Sequence, residues 1–298
     1  MTTSTADTAP APAPDEAPDV GGRITTISVG LDQSPHSWGA LEWATDIAHR
    51  AGAKIRIVHA LPQHRLEDIR SENPRSRVIG KRLLRSAARS VHKKDPALTV
   101  DTVLTDDPIA SYLTTLTRTA DLAVIGSRPS GPVRDTLFGH HATRIVAKSS
   151  CPVVVWRGQS EARSDAGAVV LGIDDSESSS RAITLAFYLA DILATPLTAM
   201  HTEAPVHGSA VHSGAAPEDD RLDWLRARTA TAAQHHPSVD VHLHCLGSTP
   251  EHELRRASST AQLVVIGSHG CGLLKGTLCR STVQQLIHSA GGPLLVVP

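Results

Sequence analysis

Two hydrophobic rhythms alternate along the chain. A short β-branched run from Ile24 to Leu31 is followed by Ala40, Leu41, Ala44, Ile47 and Ala48 at helical spacing, so a strand feeds a helix. Further apolar runs at 55–60, 98–104, 122–126 and 153–156 are separated by helical patterns such as Ala142, Ile145 and Val146. The second half repeats the order, with strands near 168–173, 197–202, 239–245, 263–267 and 294–297 and a last helix marked by Val283, Leu286, Ile287 and Ala290. Strict alternation of aliphatic strands and helices predicts right-handed crossovers and a parallel sheet covered on both faces. The expected fold is therefore two tandem, five-stranded, doubly wound α/β domains of Rossmann-like type.

Self-comparison shows that the halves are copies. "DLAVIGSRP" at 121–129 matches "QLVVIGSHG" at 262–270, and "CPVVVW" at 151–156 matches "GPLLVV" at 292–297, both at an offset of 141. "SVGLDQS" at 28–34 pairs with "VLGIDDS" at 170–176 at an offset of 142. The expected domains are 23–157 and 168–298, with the polar stretch 158–167 as linker. Residues 1–22 are Ala, Pro, Thr and acid with almost no large apolar side chain, so they are expected to form a disordered tail.

Composition narrows the classes. Aromatics make up only 3% of the 298 residues, so the core must be aliphatic. A formal charge of −1 gives no global pull on nucleic acid or an anionic membrane; either partner would need a local patch, and neither is expected. The four cysteines, Cys151, Cys245, Cys271 and Cys279, form no CxxC pair, which argues against a zinc site or a disulfide framework. Without a secretory layout or an apolar run near the roughly 20 residues of a membrane span, the expected compartment is the cytoplasm.

In doubly wound sheets the ligand crevice lies beyond the carboxyl ends of the strands, where strand order reverses. Gly30, Leu31 and Asp32 end one first strand and Gly172, Ile173 and Asp174 the other, while glycine loops at Gly126 and Gly267 follow the fourth strands. A glycine loop entering a helix offers free N–H groups and a positive dipole end, which is phosphate chemistry. The chain has no GxxxxGK loop, and Gly276 falls one residue too late for GxGxxG.

These residues resemble the universal stress protein family, whose members carry Gly-x-x-Gly, nine residues, then Gly-Ser or Gly-Thr, with an Asp ending the first strand. The resemblance implies an adenine nucleotide ligand, ATP with or without Mg, and pairing along the last strand. The partners it implies are that nucleotide, a homodimer or pseudo-dimer through the edges ending in Trp156 and Val297, and an unidentified protein. It places Gly172, Ile173 and Asp174 around the adenosine and Thr202 beside the base. Gly267, Gly270, Ser281 and Thr282 would meet the phosphates, with Ile266, Ser268, His269 and Arg280 next to them. The matching positions of the first half are Gly30, Leu31, Asp32, Ala60, Gly126, Ser127, Arg128, Gly139 and His140. That half departs from the pattern at Pro129, which lacks an N–H donor, and at His140. The second half departs at Arg280, whose guanidinium either blocks the phosphate or binds it. The second half is thus the expected nucleotide site of a stress-response binding protein; the alternatives are a nucleotide-free scaffold and a weak ATPase.

Blander readings compete. Asp32 and Asp174 could be plain helix caps, and Gly272 and Gly276 plain turn residues. Cys271 and Cys279 lie in or beside the second loop, where oxidation would disturb binding. His242 and His244 fall on one face of a predicted strand, with no matched metal-ligand set nearby. The segment 75–94 reads as an amphipathic helix with Val78, Leu83 or Leu84, Ala87 and Val91 inward and a basic outer face suited to an anionic partner. Neither GxSxG nor HExxH occurs, so no dedicated enzyme is expected.

Overall fold

The computed structural model describes residues 23–62, 74–127, 136–157, 167–202, 218–268 and 282–298, with backbone only for 136–141. The tail, most of the linker and the greater part of both glycine loops lie outside these residues. The first half runs β1(Thr26–Gly30), α1(Pro35–Ala51), β2(Lys54–Ala60), α2(Pro74–Lys94), β3(Val100–Thr105), α3(Ile109–Leu116), β4(Leu122–Gly126), α4(Thr136–Lys148) and β5(Val153–Trp156). The second half runs β6(Val169–Gly172), α5(Glu177–Leu193), β7(Leu197–Thr202), α6(Glu218–His235), β8(Val241–Leu246), α7(Pro250–Ala257), β9(Leu263–Gly267), α8(Thr282–Ser289) and β10(Leu294–Val297).

These ten strands form one sheet in the order β3-β2-β1-β4-β5-β10-β9-β6-β7-β8. Pairing is parallel within each half. The halves join through β5 and β10, which run antiparallel with Val154 opposite Leu295. Both last strands therefore have neighbours on either side, and neither edge is left for a second copy. The pseudo-dimer geometry is built into one chain, and the open edges are β3 and β8.

Two cores lie on the two sheet faces. One joins α1 and α2 to α5 and α6 through Ile47, Leu84, Phe187 and Leu225, and the other joins α3 and α4 to α7 and α8 through Leu113, Ile145, Leu254 and Leu286. Each core crosses the junction between the halves. Aliphatic strands buried on both faces are what such a layered sheet requires. Arg157, one residue beyond β5, adds a polar lock: it is 3% exposed and its guanidinium donates to the Ile287 and Ala290 carbonyls at the end of α8. Burial pushes its pKa down to about 10, and carbonyls at a helix C-terminus are natural partners for such a cation.

Helix α2 corrects one expectation. Its buried residues are Gly80, Leu84, Ala87 and Val91, whereas Val78 faces solvent at 57% exposure. Positions 78 and 87 are nine residues apart, and at about 100° per residue they fall on opposite faces.

Candidate functional site

Strand order reverses between β1 and β4 in the first half and between β6 and β9 in the second, and a crevice opens at the carboxyl ends there. The second crevice is a cavity of about 270 Å³. Ile173, Met200, Leu254, Ile266 and Val283 form an apolar slot; Asp174, His201, Thr202, Ser268 and Thr282 supply polar groups around it. The first crevice is about 180 Å³ and more apolar, with Ala60, Ile109 and Ala142 standing where the second has Thr202, Pro250 and Val283. Small-molecule sites begin near about 300 Å³, so the second crevice approaches that range and the first falls short.

The Asp turns are built alike. Ser34 N donates to Asp32 Oδ1 at 2.7 Å, and Ser176 N donates to Asp174 Oδ1 at 3.0 Å. The caps themselves are serines: Ser34 Oγ accepts from Ser37 N and Ser176 Oγ from Ser179 N, each at 3.2 Å. The plain-cap reading of the aspartates is thereby corrected, because the hydroxyl two residues later takes the capping position. Burial pushes the Asp32 carboxyl up, yet the hydrogen bonds from Ser34 and Ser37 and the nearby His59 together hold it below its ordinary 3.8.

A pair of histidines completes the crevice walls. His59 Nδ1 lies 2.8 Å from Leu31 O, and His201 Nδ1 lies 2.9 Å from Ile173 O. In both cases the ring nitrogen donates to the carbonyl that follows the first strand. In the second half His201 also packs on Trp224, ring centroids 4.7 Å apart, and Arg228 lies over Trp224 at 5.6 Å. Arg228 Nη2 then donates to Asp174 O at 3.0 Å, tying α6 to the crevice lip. Sequence reasoning missed both histidines, although "VHA" and "MHT" at offset 142 carried the signal.

The first glycine of each loop has a packing reason. A Cβ on Gly126 would stand 2.5 Å from His36 C and from Ser37 N; one on Gly267 would stand 2.5 Å from Ser178 Oγ and 2.9 Å from Ser178 C. The first turns of α1 and α5 cross directly over these strand ends, leaving no room for a side chain. Gly30 and Gly172 likewise sit under Leu113 and Leu254, where an added Cβ would stand 2.9 and 3.1 Å from the leucine methyls.

The structure thus brings Gly172, Ile173, Asp174, Thr202, Ile266, Gly267, Ser268 and Thr282 to one cavity, and Gly30, Leu31, Asp32, Ala60 and Gly126 to the other, where Ser127 follows β4. Gly139 and His140 belong to the backbone of α4. Arg128, His269, Gly270, Arg280 and Ser281 lie outside the described residues, as do Pro129, Gly272, Gly276, Cys271 and Cys279. Cys151 is a buried filler whose thiol burial pushes up to about 12. Exposed His242 and His244 share one face of β8 as expected, and among the described residues no group of three or more His, Cys, Asp or Glu is placed to hold a metal ion.

Fold and crevices define a duplicated, doubly wound α/β protein with one strand-end cavity per half. The family model "Universal stress protein family" matches twice, over residues 23–157 and 167–298, and the chain belongs to that family. A universal stress protein of Mycolicibacterium smegmatis is 29% identical over 287 residues, covering 91% of this chain and 96% of its own. One from Mycobacterium tuberculosis is 27% identical over 286 residues with the same coverage. Among solved structures, a universal stress protein from Archaeoglobus fulgidus matches with a TM-score of 0.71 at 17% identity, over 94% of this chain and 99% of that one. Among the described residues no helix is long and apolar enough to cross a membrane.

Proposed function

We propose that this protein is a cytoplasmic stress-response regulator that holds an adenine nucleotide, ATP in the fullest form, in the crevice of its second half. The observation that carries this reading is the cavity of about 270 Å³ at the strand-order reversal, with an apolar slot and polar groups at its mouth. The flat base fits the slot formed by Ile173, Met200, Leu254 and Ile266. Asp174 Oδ1 is engaged by Ser176, which leaves the other carboxylate oxygen to accept from ribose hydroxyls. Ser268 and Thr282 line the same cavity and offer hydroxyls to a phosphate.

The first half, with its smaller and more apolar crevice, acts in this reading as the structural partner that completes the sheet. Binding is the role this reading assigns to the second crevice, whose apolar slot and surrounding polar groups suit a held ligand. Mass analysis of the small molecules released on boiling the purified protein, together with calorimetric titration by ATP and Mg, tests the reading. Release of an adenine nucleotide or a saturable heat of binding supports it; an empty protein that gives no heat with ATP, ADP or AMP refutes it. Arg280→Gly then decides the arginine's part, since weaker ATP binding means a phosphate contact and stronger binding means an obstruction.

A further inference from the structure

Helix α2 carries Arg75, Arg77, Lys81, Arg82, Arg85, Arg89, Lys93 and Lys94 and not one carboxylate, within a chain of formal charge −1. Its counterpart α6 has Glu218, Asp219, Asp220 and Asp223 beside Arg221, Arg226 and Arg228, so the strongly cationic character belongs to one copy alone. A strong single-sign charge on one duplicated helix and near balance on the other point to a surface used by only one of them.

The charges are arranged, not scattered. The inward stripe is Gly80, Leu84, Ala87 and Val91. At about 100° per residue, positions 78, 82, 85, 89 and 93 fall within roughly 80° of one another on the opposite side. Arg82, Arg85, Arg89 and Lys93 are exposed, as is Lys81 on the flank. Arg77 and Lys94 are taken up by Asp106 and Asp46, but those five cations make no ion pair among the described residues. A run from 81 to 93 spans about 18 Å of helix. Like charges one turn apart repel, so a helix keeps such a row at a cost that a polyanionic surface removes.

The second observation selects the surface. Val78 and Ile79 are the two exposed large hydrophobic residues among those described, at 57% and 53%, and they sit one turn along the same helix beside Arg77 and Lys81. A phosphodiester backbone makes no use of exposed aliphatic groups, and α2 has no aromatic side chain but His92 near its far end on which a base could stack. A bilayer uses both: cations meet the lipid headgroups, and aliphatic side chains enter the boundary with the acyl chains. We propose that α2 is a peripheral docking face for anionic lipid, with Val78 and Ile79 as the inserted tip and Arg82, Arg85 and Arg89 as the electrostatic row. The inference goes beyond the nucleotide reading and is independent of it.

Co-sedimentation of the full chain with vesicles tests it. The protein should bind phosphatidylserine-containing vesicles and not phosphatidylcholine alone, and should release as salt rises from about 0.1 M to about 1 M, where the screening length falls from about 10 to about 3 Å. Arg85→Gln with Arg89→Gln should weaken binding about 25-fold, near fivefold per charge. Val78→Ser with Ile79→Ser should weaken it about tenfold at unchanged charge. All four side chains are exposed, so an unchanged thermal melt verifies the fold of each variant. Failure of the wild type to bind anionic vesicles at about 0.1 M salt would overturn the proposal. Equal binding by the Val78/Ile79 variant, with duplex DNA held as tightly as the vesicles, would overturn it too, since the face would then be a general polyanion surface.

Discussion

Replacing Gly126 or Gly267 by alanine separates two meanings of a glycine loop. A new Cβ at 126 would lie 2.5 Å from backbone atoms of His36 and Ser37, and one at 267 would lie 2.5–2.9 Å from Ser178 and Ser179. Ordinary contact begins near 3.4 Å, so the first turn of α1 or α5 must retreat by several tenths of an ångström to nearly one. That turn is backbone, pinned by the Ser34 or Ser176 cap and by buried Leu41 or Phe187, so little of the overlap can be relaxed by rotamer change. Overpacking of this kind costs about 1–3 kcal/mol, with the backbone contacts placing both sites toward the upper end. For a chain of this size that lowers Tm by about 2–5 °C. The two sites lie in separate halves, so the double variant should lose nearly the sum. Circular dichroism melts and urea denaturation measure this directly. A Gly267→Ala protein with an unchanged melt but no nucleotide binding would refute the packing account and return the glycine to a purely phosphate-facing role.

Other consequences are as direct. Helix α1 ends on Gly52 at φ 68°, and α5 ends at the equivalent Ala194 at φ 53°. Ala194→Gly should therefore stabilise by about 0.5–1 kcal/mol and Gly52→Ala should destabilise by a similar amount in urea titrations; a loss on Ala194→Gly would contradict the left-handed cap. Arg157→Met leaves the Ile287 and Ala290 carbonyls without their cation and should cost about 1.5–3 kcal/mol, whereas an unchanged melt would mean that the lock contributes nothing. The depressed Asp32 carboxyl contributes stability that is present above its ordinary 3.8 and lost as pH falls through its lower folded value. The gap in urea midpoint between wild type and Asp32→Asn should thus shrink on acidification below about pH 4, and a widening gap would contradict that sign.

Layer architecture was legible because aliphatic strands and helical stripes have different periods, and their regular alternation through both copies left little freedom to the topology. Strand bounds such as 122–126, 153–156 and 263–267 agree in sequence and structure because they are buried on both faces. What local pattern could not convey was non-local contact. The close approach of α1 to Gly126 depends on a helix about ninety residues earlier, and the donor role of His59 depends on a carbonyl 28 residues away. Aspartates before an apolar helix look like caps, yet the serine two residues on has the better reach, as Ser34 and Ser176 show. The spacing of nine that ties Val78 to Ala87 is a half-turn out of phase on an α-helix, which is why Val78 stands outside the inward stripe. The antiparallel β5–β10 seam was half legible: two aliphatic last strands announced a pairing edge, while their union within one chain and the Arg157 lock depend on the full-length packing.

The most direct test of the central claim is adenine nucleotide titration of three proteins: wild type, Thr202→Trp, which fills the second crevice, and Ala60→Trp, which fills the first. Both positions line their cavities without the backbone overlap found at the loop glycines. The account predicts saturable binding of one nucleotide per chain, abolished by Thr202→Trp and retained by Ala60→Trp. Binding that survives Thr202→Trp and disappears with Ala60→Trp would contradict it.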